Sequence, residues 1–181
     1  MQRFPDPRPL DGEHRINGFD CGVGSLDIWL VKHARAAAGV GSARTYVVVD
    51  TEQNRVVGYH ALSLASIEHA DATMRGRKGT PRHPIPAMLL ARLAVDRSVQ
   101  GRGIGAFLLR DAMGRALSVA EQAGMRLLLV HALGDEARAF YEHFGFEASP
   151  TDAMNLQLLV KDIRLALDNA DTEMGGVRED A

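Results

Sequence analysis

The chain has 181 residues, of which 46% are hydrophobic and 24% charged. That is the size and make-up of one ordinary globular domain, which excludes a wholly disordered chain and leaves ample apolar material for a core. The net charge is −2, and a lone cysteine, Cys21, excludes an intramolecular disulfide and a cysteine-rich zinc site, so no metal and a reducing, cytoplasmic setting are expected.

Residues 1–20 carry three prolines, show no apolar signal-peptide stretch, and read as an irregular or short-stranded lead-in. Ser25 can cap a helix over about 26–38, with Leu26, Trp29, Leu30, His33 and Ala37 on one face and Gly39 and Gly41 as its stop. Residues 46–49 form a β-branched strand, and the turn at 51–54 returns the chain into a second hairpin arm at 55–64. The polar, basic, Gly/Pro-bearing stretch 66–84 reads mostly as loop. The nearly continuous apolar run 86–95 suits a central strand. A glycine-rich turn at 101–105 then opens a long helix to about 122, and 126–132 is another buried strand. Asp135 is the expected cap of a short helix that ends near Phe144, with Gly145 beyond it. Strands at 146–149 and 155–160 and a helix at 161–168 complete the order. No run approaches the ~20 apolar residues of a membrane span, so no membrane association is expected. The expectation is a single α/β (α+β) domain over 1–168, with a central mixed, mostly antiparallel sheet flanked by helices, followed by a disordered acidic tail, 169–181.

The near-neutral total hides an asymmetry. Residues 75–110 hold eight basic groups against the single acid Asp96, so a polyanionic partner is compatible with the overall charge, because fields act locally. A solvated loop carrying solubilising arginines has the same composition.

The most informative segment is Leu93-Ala94-Val95-Asp96-Arg97-Ser98-Val99-Gln100-Gly101-Arg102-Gly103-Ile104-Gly105-Ala106. It reads as strand, glycine-rich basic loop and helix start, a junction whose free backbone N–H groups and helix dipole suit an anion. A dinucleotide fingerprint fails because Ala106 and Leu108 stand where the third glycine would be, and no Gly-Lys-Ser/Thr completes a P-loop. A tight strand-to-helix turn would look the same when taken alone.

Gln100-x-x-Gly103-x-Gly105 after an apolar strand resembles the acetyl-CoA motif of the GCN5-related N-acetyltransferases (GNAT), and Phe140-Tyr141-Glu142-His143-Phe144-Gly145-Phe146 resembles that superfamily's Phe-Tyr-x-x-x-Gly-Phe element. A narrower resemblance runs from about 9 to 160. Phe19-x-Cys21, Leu26-Asp27-x-Trp29-Leu30, Val57-Gly58-Tyr59, Pro84-Ile85-Pro86, Arg92-Leu93-Ala94-Val95-Asp96 and Val130-His131-Ala132 are similar to the TacT/AtaT-type toxins of two-gene toxin–antitoxin pairs. The resemblance implies a GNAT fold, acetyl-CoA as cosubstrate, and transfer of acetyl to the α-amine of an aminoacyl-tRNA with arrest of translation. It also implies a ribbon-helix-helix antitoxin as partner and a homodimer.

On that reading Gln100, Gly101, Arg102, Gly103, Gly105 and Ala106 bind the coenzyme diphosphate, while the backbone of Leu93, Ala94 and Val95 receives the pantetheine arm as an added strand would. Tyr141 is the expected acid, a phenol able to protonate the departing thiolate. No base stands out: Glu68, His69 and His131 are the nearest candidates, and the two histidines read more readily as hydrogen-bonded loop or sheet residues. Lys32, Arg35, Arg75, Arg77, Lys78, Arg82 and Arg92 form the expected tRNA track, with a salt bridge from Arg92 to Asp96 or Asp111 as the alternative for that residue. Transfer to a small amine or a protein N-terminus is the competing activity, and it calls for an acidic cleft.

Overall fold

The computed structural model describes residues 4–175. Seven strands are hydrogen-bonded in the order β1-β2-β3-β4-β5-β7-β6: β1 (Arg8–Pro9), β2 (Arg44–Asp50), β3 (Arg55–Ile67), β4 (Ile85–Val95), β5 (Leu127–His131), β6 (Glu147–Ala148) and β7 (Asn155–Leu159). The helices are α1 (Gly24–Lys32), α2 (Ala34–Val40), α3 (Met74–Arg77), α4 (Ile104–Gln122), α5 (Asp135–His143) and α6 (Val160–Gly175). The result is the α/β architecture expected from the element order, a sheet flanked by helices, and the ladders β1–β2, β2–β3, β5–β7 and β6–β7 are antiparallel. The chain forms two compact units, Met1–Leu64 with Leu90–Ala112 and Ala65–Leu89 with Met113–Ala181. No described helix is long and apolar enough to cross a membrane.

The first unit is built on the β2–β3 hairpin, which registers Tyr46 with His60 and Val47 with Tyr59. Because a strand alternates faces, Val47 and Val49 join a cluster with Phe19, Leu26, Leu30 and Tyr59, while Val48 joins Val57, Val99, Ile104 and Leu108. Burying each such side chain contributes roughly 1.5–3 kcal/mol. Gly58 decides how α4 seats: a Cβ there would meet Leu108 Cδ1 at 3.1 Å and Ile104 Cγ2 at 3.2 Å. Its missing side chain lets the N-terminus of α4 settle on β3.

The single helix expected over 26–38 is two, interrupted at His33. Val23, not Ser25, is the N-cap residue, and Asp27 accepts from the Cys21 N–H at 2.9 Å. Past the break, Arg35 donates Nε to the Asp11 carbonyl at 3.1 Å and Nη2 to that of His14 at 2.8 Å. α2 is thereby fastened to the lead-in rather than continuing α1, so Lys32 and Arg35 lie on different helices.

In the second unit the stretch 66–84, expected as open loop, is ordered by three tethers. Thr73 caps α3, accepting from the Gly76 N–H at 3.0 Å. Gln157, 3% exposed, accepts from the Thr73 N–H at 2.9 Å and donates to the Asp71 carbonyl at 3.1 Å. Arg126 directs its guanidinium at the carbonyls of Gly76 (2.6 Å) and Lys78 (2.8 Å). The cap of α5 is Gly134 rather than Asp135, and Asp135 instead sits in the first turn, where its charge favours the dipole. Gly145 ends α5 as expected, in the left-handed region at φ +88°. α6 continues to Gly175, and residues 176–181 of the expected tail lie outside the described residues.

Candidate active site

β4 ends at Val95, a 3-10 turn spans Arg97–Val99, and α4 begins at Ile104. Between them Gly101 and Gly103 both adopt left-handed backbone, φ +77° and +78°. A Cβ on either would meet nothing within 4 Å. Conformation, not crowding, therefore requires glycine here. The N–H groups of Ile104, Gly105 and Ala106 belong to the first turn of α4 and have no acceptor among the described residues. Together with Gly101, Arg102 and Gly103, which are exposed, they stand at the positive end of a 19-residue helix. A helix N-terminus with free amides can receive an anion such as a phosphate.

The Gln100 side chain is itself bonded within the loop region. Its amide nitrogen donates to the Val95 carbonyl at 2.8 Å and to the Cys21 carbonyl at 3.0 Å, so the side chain ties the loop together. Leu93 and Val95 are half-buried on β4 and Ala94 is buried. Behind the loop lies Asp96, 4% exposed. Burial alone would raise its carboxyl, but donors from Ser98, Asp20 and Arg55 outweigh it and hold the group below the ordinary aspartate range. Cys21 is ill-suited to be a nucleophile: burial, with Asp27 beside it, pushes its thiol up to about 11.

Tyr141 lies on α5 in the second unit, 6% exposed. Phe140 and Phe146 hold its ring edge-on at centroid distances of 5.2 and 5.5 Å. The turn at Gly145 brings the Phe146 N–H back to the Tyr141 carbonyl at 3.2 Å, which fixes that packing. Burial raises the phenol above its usual value, so it stays protonated at neutral pH. No hydrogen bond to its hydroxyl is present among the described residues. A protonated phenol with an uncommitted hydroxyl has the chemistry to donate a proton.

The second unit also carries a cleft of about 390 Å³. Ile67, Leu89 and Leu129 supply apolar lining, and Glu68, His131 and Asn155 supply polar lining. Glu68 and His131 are thus brought to one cavity, and the His131 imidazole is held by the Asn155 side chain. Asp71 lines the cleft too, although its carboxylate accepts from Thr151 at 2.7 Å. Among the described residues no cluster of three His, Cys, Asp or Glu could hold a metal ion.

The basic residues divide by what they touch. Lys32, Lys78, Arg82 and Arg102 are exposed, and Arg77 is half-buried. Arg75 is ion-paired with Glu147 and with Asp162, the latter at 2.7 Å. Arg35 is committed to the lead-in carbonyls. Arg92 pairs with neither Asp96, which takes Arg55 at 3.0 Å, nor Asp111, which takes His60 at 2.6 Å. Its guanidinium stands over the Trp29 ring instead. Asp20 in the first unit, and Arg126 and Gln157 in the second, each order the segments they touch through partners distant along the chain. Next to the glycine turn, Asp96-x-Ser98 and Asp20-x-Gly22 have spacings that read as side-chain-capped turns.

Residues 41–148 match the family model described as acetyltransferase (GNAT) domain. The chain is 49% identical, over 91% of its length and 97% of the relative's, to a "tRNA-acetylating toxin" of Mycobacterium tuberculosis (strain ATCC 25618 / H37Rv). AtaT solved in complex with acetyl-methionyl-tRNAfMet superposes with a TM-score of 0.82 at 31% identity, covering 89% of this chain and 98% of that one. An AtaT mutant toxin bound to the C-terminus of the antitoxin AtaR and to acetyl-CoA gives 0.76 at 28% identity, covering 89% and 96%.

Proposed function

The chain belongs to the GNAT acetyltransferase family, and from that premise we propose that it moves the acetyl group of acetyl-CoA onto the α-amine of an aminoacyl-tRNA, blocking translation as a toxin. The observation that carries this is the 49% identity spanning 97% of a relative named for acetylating tRNA.

The diphosphate of acetyl-CoA rests on the amides of 101–106, with Arg102 adding charge-assisted contacts. The substrate nitrogen attacks the thioester carbonyl carbon, the C–S bond breaks, and Tyr141 passes its proton to the leaving thiolate. The attacking amine releases its own proton to water. A lysine amine, near pKa 10.4, would cost about 4–5 kcal/mol to deprotonate at pH 7, whereas an α-amine starts near 7.7–8.0, and esterification removes the neighbouring carboxylate that favours its charged form. An acid without a dedicated base therefore suits an aminoacyl ester. Lys32, Arg77, Lys78, Arg82 and Arg92 supply the tRNA track, with Arg92 nearest the acceptor end.

The same reading carries a homodimer, a ribbon-helix-helix antitoxin whose C-terminal segment covers the basic surface, and a cytoplasmic location. Mass photometry tests the dimer, and an adjacent small reading frame supports the antitoxin. A second reading, acetylation of a small amine or a protein N-terminus, draws on one feature: Glu68 in the cleft of the second unit is the acid that such a substrate would need.

The deciding experiment offers labelled acetyl-CoA together with total charged tRNA, polyamines and a peptide library. Label confined to aminoacyl-tRNA supports the proposal. Label on polyamine or peptide, with charged tRNA untouched, overturns it in favour of the second reading.

A further inference from the structure

Asp96 stands outside the expected coenzyme-binding set, yet more hydrogen bonds converge on it than on any residue of the glycine turn. Its buried carboxylate accepts from Ser98 N–H (3.0 Å), Ser98 Oγ (2.5 Å), Asp20 N–H (3.2 Å) and Arg55 Nη1 (3.0 Å). These donors come from three separate stretches of chain. Arg55 also donates Nη2 to Ser98 Oγ at 2.9 Å, closing a small ring of bonds around the carboxylate.

The lead-in completes the clasp. The Arg97 N–H donates to the Asp20 carbonyl at 2.8 Å, and Gln100 reaches the Cys21 carbonyl at 3.0 Å. Gly22, at φ +93°, lies so close to Arg97 that a Cβ would meet its Nε at 3.0 Å. The segment 20–22 is therefore laid along the arm 95–100, and Asp96 is the pin between them. In front of this pinned arm, Gly101 and Gly103 face open space. Glycine makes the turn possible, and it would also make it the loosest part of the junction, since glycine loses the most conformational freedom on ordering. A ligand that had to order the turn would bind more weakly than one meeting a preformed seat.

We infer that Asp96 is a positioning residue for the acyl donor, holding the 95–100 arm and the clasp 20–22 so that the amides of 101–106 are preformed for the coenzyme diphosphate. It acts through Ser98, Asp20 and Arg55, and its four acceptor bonds leave it no part in proton transfer. The inference rests on the reading that this turn seats the diphosphate.

The test uses the full chain and the variants Asp96→Asn, Ser98→Ala and Gln100→Ala. Calorimetry with coenzyme A gives Kd, steady-state kinetics give KM separately for acetyl-CoA and charged tRNA, and thermal melting monitors the fold. Asp96→Asn is expected to raise Kd and the acetyl-CoA KM about tenfold, the scale of one hydrogen bond to a charged group. Ser98→Ala and Gln100→Ala, each removing one tie, are expected to raise them roughly threefold. The KM for charged tRNA stays within about twofold in all three, a split that general destabilisation would not produce. If Asp96→Asn does not fold, the other two variants decide. Folded variants with unchanged coenzyme affinity, or with both KM values raised alike, overturn the inference. Failure of the unsubstituted protein to bind coenzyme A overturns instead the reading on which it rests.

Discussion

The Arg92 guanidinium carbon lies 5.5 Å from the centroid of the Trp29 ring, and Trp29 is itself stacked on Tyr59 at 5.9 Å with the planes 13° apart. The Tyr59 hydroxyl donates to the Leu26 carbonyl at 2.8 Å. An arginine is thus held in one orientation by an aromatic stack anchored to the core, with one bond to the Ala91 carbonyl at 2.6 Å and its remaining donors available. Arg92→Ala is expected to raise the KM for charged tRNA about tenfold with little change in Tm, as for a single charged contact. Arg92→Lys should recover little of the loss, because an ammonium reproduces neither the stack nor the planar fork. Unaltered KM in Arg92→Ala would remove this residue from the tRNA track.

Arg75 should separate from its neighbours. It is engaged by Glu147 and Asp162, so Arg75→Gln is expected to lower Tm slightly, as the loss of an exposed, solvent-screened ion pair does. Neutralising Arg77, Lys78 and Arg82 together should leave Tm unchanged, weaken tRNA binding and flatten its salt dependence by roughly two units of log–log slope. Filter binding across a salt series checks both, and the prediction fails if the triple variant keeps the original slope.

Tyr141→Phe keeps the ring against Phe140 and Phe146 and removes only the hydroxyl. A drop in kcat of about 10²-fold or more, with coenzyme affinity and melting unchanged, is the expected signature of a lost general acid. Expression of the unsubstituted chain should arrest growth, and the variant should relieve that arrest. A variant that acetylates at the original rate would assign Tyr141 a packing role alone.

The hairpin, the central strand, the glycine turn and the α5 stop were all legible in the sequence because each rests on local chemistry. β-Branched residues cluster at 46–49, glycines sit at positive φ, and apolar runs are bounded by turn residues. The tethers around the turn and the basic segment were not legible. Arg126 reaches carbonyls on α3, Asp20 meets Asp96, and Gln157 meets Thr73, and each partner is distant along the chain. No periodicity or propensity reports such pairings, which is why 66–84 read mostly as loop and the side-chain ties of Gln100 went unseen. The break at His33 was hidden for the same reason: what fastens α2 is Arg35 on the lead-in, while the local pattern favours one continuous helix.

Mild acid should weaken the fold through His14, which is 4% exposed. Burial depresses its imidazole below 6.5, Arg8 and Arg35 add repulsion, and Asp11 only partly opposes them. The folded state thus prefers the neutral ring, so this stabilising contribution is present above the unfolded value of about 6.5 and is lost as pH falls below it. Tm measured from about pH 7.5 to 5.5 should decline less in His14→Gln than in the unsubstituted chain. Parallel curves would exclude His14 as the cause.

The most direct measurement offers one tRNA species to the protein in three forms: charged, deacylated, and charged with the aminoacyl nitrogen already blocked. Labelled acetyl-CoA is supplied to each, and the 3′-terminal aminoacyl-adenosine is released and identified by mass spectrometry. One acetyl group is expected on the α-nitrogen of the first form and none on the other two. Equal labelling of the deacylated or blocked tRNA would contradict that expectation.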